Sequence, residues 1–67
     1  MNEEKLNLST RKFLKQVGVT AQREIELAVR KAVESGDLSA SEFPIKATLE
    51  CPELGLLHVV DGKLEIA

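Results

Sequence analysis

Arg11-Lys12-Phe13-Leu14-Lys15-Gln16-Val17-Gly18-Val19-Thr20 is the stretch on which the fold of this chain turns. A glycine followed two residues later by a threonine reads as one helix ending and another beginning. Gly18 tolerates the left-handed conformation that closes a helix, and the Thr20 hydroxyl is placed to accept from the amides of Gln22 or Arg23. Upstream, Leu6, Thr10, Phe13, Leu14 and Val17 fall on one side of a helix turning about 100° per residue, which predicts a first helix over about 3–17. Asn2 is in place to cap it, with Asn7 and Ser9 as alternatives for a shorter version. Downstream, Ile25, Ala28, Val29, Ala32 and Val33 form a second apolar stripe, which predicts a helix over about 21–35 ended by Gly36.

Beyond Gly36 the helical period disappears. Asp37 to Pro44 reads as a polar linker, and Phe43 is expected to be extended because it precedes a proline. Ile45 to Cys51 alternates strictly, predicting a strand over 45–51, and two further strands are expected at about 56–60 and 63–66. Asp61-Gly62 between these last two is a strong signal for a two-residue type I′ turn. With that turn Val59 faces Leu64 and His58 faces Glu65, and Leu57, Val59, Leu64 and Ile66 share a core face. A three-residue loop, Glu53-Leu54-Gly55, then sets Leu49 against Val59. A four-residue loop sets Leu49 against His58 and Glu50 against Leu57, which is the poorer match for that core face. The expected fold is α+β, a single domain over 1–67. Two N-terminal helices pack on one face of a three-stranded antiparallel meander, in the order ααβββ.

Sixty-seven residues bury only about 60% of the surface of the unfolded chain, and a core of this size rarely yields more than roughly 3–5 kcal/mol without a staple or a partner. Cys51 is the only cysteine and His58 the only histidine, too few for an intrachain disulfide or a four-ligand zinc site. The balance therefore points to a partner protein or a second copy. The net charge of −2 offers no general field for nucleic acid or an anionic membrane. Met1-Asn2-Glu3-Glu4-Lys5 carries acids where a secretory signal needs bases, and no run approaches the roughly 18 apolar residues of a membrane span. A cytoplasmic location with Cys51 reduced is expected.

The corner at Gly18 has the outline of a helix-turn-helix, and its details depart from that motif. The position four before the glycine, usually small, is Leu14, and an apolar position six after it is Glu24. Gln22, Arg23, Glu24 and Glu26 would lead the recognition helix, where carboxylates meet phosphates. DNA or regulatory binding through helix 21–35 is thus the second reading, with Arg11, Lys12, Lys15 and Arg23 as the nucleic-acid contacts it would use. Phe13 and Phe43 are the only aromatics, so base stacking has little to work with. Cys51 and His58 suggest a thiol dyad, but the expected register puts them on opposite faces. His58 beside Glu65 resembles a base with its orienting carboxylate and lacks a third group. No catalytic, cofactor or metal site is expected. The leading reading is a non-enzymatic interaction or self-associating module, with Leu27 between Arg23 and Arg30, and Leu56, His58 and Val60 on the outer sheet face, as partner-binding residues.

Arg11-Lys12-Phe13-Leu14-Lys15, Val17-Gly18-Val19-Thr20, Gln22-Arg23-Glu24-Ile25-Glu26, Pro52-Glu53-Leu54-Gly55-Leu56 and His58-Val59-Val60 together resemble a family of small uncharacterised bacterial proteins, a domain of unknown function. The resemblance runs over nearly the whole chain. It implies a free-standing bacterial cytoplasmic protein and carries over no catalytic or binding residue.

Overall fold

The computed structural model describes residues 1–36 and 38–67; Asp37, at the head of the expected linker, lies outside them. The chain forms two compact units, Met1–Asp37 and Leu38–Ala67. The first is one helix, α1 (Glu3–Ser35), of 33 residues, or about 50 Å at 1.5 Å per residue. The expected break at Gly18 and restart at Ala21 do not occur. Gly18 has no positive φ, and the Thr20 hydroxyl donates back to the Gln16 carbonyl at 2.8 Å, the habit of a threonine inside a helix rather than at its start.

Two physical reasons favour the unbroken helix. Breaking it would orphan up to four carbonyls and four amides, whereas a glycine inside it costs only about 1 kcal/mol relative to alanine. The apolar pattern also runs through the glycine in phase. Leu6, Val17 and Ala28 repeat every eleven residues, as do Thr10, Ala21 and Ala32, and Leu14 and Ile25. An eleven-residue repeat corresponds to about 3.67 residues per turn, so what read as two stripes is a single one. The ends fall where expected. The Asn2 side chain accepts from the Lys5 amide at 3.0 Å, Glu3 and Glu4 sit in the first turn, and Gly36 closes the helix at φ 73°.

The second unit is a β-hairpin, not a meander. β1 (Glu42–Cys51) pairs antiparallel with β2 (Leu56–Glu65), ten residues against ten. The Ser41 carbonyl accepts from the Ile66 amide at 2.9 Å beyond the last pair. β1 thus takes in Glu42, Phe43 and Pro44 from the expected linker. Alternation from the Ser41–Ile66 bond leaves Pro44 opposite Lys63 at a non-hydrogen-bonded site, where the missing N–H of proline is harmless.

Asp61-Gly62 makes no turn. A type I′ turn needs positive φ at both residues, and only Gly36 and Gly55 adopt it among the described residues. Asp61 instead faces Lys46, and Gly62 faces Ile45. A turn there would have left a third strand of four residues and deprived the first half of β1 of its partner. The actual connection is a four-residue one. Pro52–Leu54 forms a turn of 3-10 helix, and Gly55 at φ 63° donates its amide to the Pro52 carbonyl at 3.0 Å.

The resulting register sets Leu49 against His58 and Glu50 against Leu57, the pairing that looked poorer beside a third strand. Over ten pairs it is the better one. Phe43, Ile45, Ala47, Leu49 and Cys51 share a face with Leu56, His58, Val60 and Leu64. The charged residues Glu42, Lys46, Glu50, Asp61, Lys63 and Glu65 take the other, joined there by Leu57 and Val59, which were expected on the core face with Leu64. The overall class remains α+β, with one helix and two strands in place of two and three.

Candidate interaction surfaces

Two apolar surfaces stand out, one on each unit. Along α1, Val17, Ala21, Ile25, Val29 and Ala32 are half-buried. Leu6, Phe13 and Leu14 continue the stripe towards the N-terminus and are 48–53% exposed. On the hairpin, Phe43, Ile45, Leu49, Cys51 and Leu64 are half-buried and all lie on the apolar face defined by the register. None of the described residues is buried. Each unit therefore has an apolar side without a finished core.

The continuous helix rearranges the residues singled out from the sequence. Arg23, Leu27 and Arg30 lie at i, i+4 and i+7 on the side of α1 away from the stripe, with Leu27 54% exposed. Lys5 and Lys12 fall on the same line, seven and eighteen residues being close to whole numbers of turns. Arg11 and Lys15 stand to one side of that line, so Arg11, Lys12, Lys15 and Arg23 spread over about a third of the circumference instead of forming one patch. Glu26 and Glu34 are interleaved with them.

Leu56, His58 and Val60 do share a face, and it is the apolar face of the hairpin rather than an outer polar one. The expected His58–Glu65 pair does not form. Glu65 faces Glu42, whose carboxylate is 3.9 Å from the Lys63 ammonium, and His58 faces Leu49. The ion pair is exposed on both sides, a type worth roughly 0–1 kcal/mol.

Cys51 and His58 come out on one face, contrary to the expected separation. Cys51 is opposite Leu56 and His58 opposite Leu49, which makes the two diagonal neighbours at about 7–8 Å. Among the described residues no hydrogen bond joins this thiol to this imidazole. The hollow lined by Glu3, Glu4, Asn7 and Leu8 has four exposed walls and no converging groups. Among the described residues no three of His, Cys, Asp and Glu are grouped to hold a metal ion. No described helix is long and apolar enough to cross a membrane.

Residues 1–67 match the model of a family described as a family of unknown function, DUF6494. The chain belongs to this family. The match spans every residue of the sequence, in keeping with the resemblance carried by the Arg11–Lys15, Gln22–Glu26 and Pro52–Leu56 segments. No curated protein and no solved structure matches the chain. The DUF6494 description carries no chemistry, and the two apolar surfaces are the features of this chain that bear on function.

Proposed function

We propose that this DUF6494 protein is a small non-enzymatic interaction module of the bacterial cytoplasm that works by self-association. One observation carries the reading. The chain has a helical apolar stripe and an apolar hairpin face, yet none of its described residues is buried. Helices in proteins draw most of their stability from packing an amphipathic face, and a lone two-stranded hairpin is marginal in water. Both surfaces call for a cover. The second reading, DNA or regulatory binding through helix 21–35, has less support, because α1 passes through the would-be turn without a break.

Sedimentation equilibrium of the full chain from about 1 to 200 µM tests the proposal. We expect a reversible dimer with a dissociation constant inside that range, where weak to moderate interfaces fall. A monomer at every concentration refutes self-association.

A further inference from the structure

Resting on the self-association proposed above, we infer that the α1 stripe is covered by the α1 of a second copy, antiparallel, about a two-fold axis near residue 19. Length argues first against the chain's own hairpin as the sole cover. The stripe from Leu6 to Ala32 runs for about 39 Å at 1.5 Å per residue. The apolar face of β1, from Phe43 to Cys51, extends for only about 27 Å at 3.4 Å per residue. Wherever such a face lay, about two turns of stripe would stay open. A second α1 has the same length and the same eleven-residue repeat, and matched repeats keep two helices in contact from end to end.

Side-chain volume sets the direction. The N-terminal half of the stripe is bulky and the C-terminal half is made largely of alanine. Antiparallel pairing about residue 19 puts Leu6 against Ala32, Thr10 against Ala28 and Val17 against Ala21, larger against smaller in three layers, with Phe13 against Ile25 as the one bulky layer between them. A parallel pair would crowd leucines at one end and set alanine against alanine at the other, leaving voids. Lys5, Lys12, Arg23 and Arg30 point away from this seam, so their like charges do not meet across it.

The test uses the full chain. Sedimentation equilibrium compares it with Ile25→Glu, which puts a carboxylate into the seam, and with Leu8→Gln, on the far side of α1. We expect Ile25→Glu to weaken association by about 30-fold or more, as loss of a central contact does, and Leu8→Gln to leave it unchanged. Pulsed dipolar spectroscopy then reads the direction on an intact stripe, with a nitroxide at Lys5→Cys in a Cys51→Ala background. Antiparallel helices place the two labels about 45–50 Å apart and parallel ones about 25 Å. This measurement decides the matter even if Ile25→Glu fails to fold. A dimer that tolerates Ile25→Glu, or a distance near 25 Å, overturns the antiparallel helix pair and leaves self-association standing. A chain that is monomeric throughout overturns both.

Discussion

Thr20 shows how one residue type serves two opposite structural roles. As a cap it would accept from amides ahead of it; inside α1 its hydroxyl donates to the Gln16 carbonyl behind it. Thr20→Ala separates the two by sign. Within a helix the change should raise stability by a few tenths to about 0.7 kcal/mol, the propensity difference, whereas loss of a cap would lower it by about 1 kcal/mol. Thermal unfolding followed by far-UV circular dichroism measures it. Gly36 is the contrasting case, because its φ of 73° is costly for any residue with a Cβ. Gly36→Ala should destabilise the chain by about 1–2 kcal/mol. Asn2, Gly36 and Gly55 were legible in the sequence because their roles depend on the few bonds around them. Gly18 and Thr20 were not, because their local chemistry fits a turn and a helix interior alike, and only the pairing of all the neighbouring carbonyls and amides selects between them.

At the scale of elements, Asp61-Gly62 repeats that lesson in the hairpin. The dipeptide favours a turn, but ten cross-strand pairs outweigh it once Glu42, Phe43 and Pro44 join β1. A Cβ at Gly62 would meet the Ile45 Cγ2 at 3.7 Å, an ordinary contact. Gly62→Ala should therefore stabilise the hairpin by about 0.5–1 kcal/mol, seen as a higher midpoint in chemical denaturation. A type I′ turn, with its positive φ at this position, would make the same change destabilising. The register is also checkable by cross-linking. Thr48 and Val59 face each other at a non-hydrogen-bonded pair, with Cα atoms about 4.5 Å apart, within reach of a disulfide. Thr48→Cys with Val59→Cys, in a Cys51→Ala background, should oxidise readily within one chain, as mass spectrometry of the reduced and oxidised forms would show. The three-residue loop, which pairs Leu49 with Val59, places these two cysteines out of register. Both candidate sites of the hairpin follow from this choice, since it brings His58 onto the face of Cys51 and takes it away from Glu65.

For the whole molecule, stability and association should be one quantity. If the missing core is supplied by a second copy, the thermal midpoint must rise with protein concentration, by mass action on the folded dimer. We expect a clear increase between about 5 and 500 µM in calorimetry or circular dichroism, and a constant midpoint would place the core within one chain. The sequence alone determined the α+β class, the helix ends at Glu3 and Ser35, and the left-handed glycines Gly36 and Gly55. These are set by composition and by interactions over a few residues. Only the tertiary structure decided that the two predicted helices are one, that three strands are two, and which side chains share a face. Those outcomes depend on sums over long ladders: eleven-residue phasing carried through Gly18, and ten strand pairs carried through Gly62. In each the cooperative gain of an uninterrupted element exceeds the preference of the single residue that signals a stop.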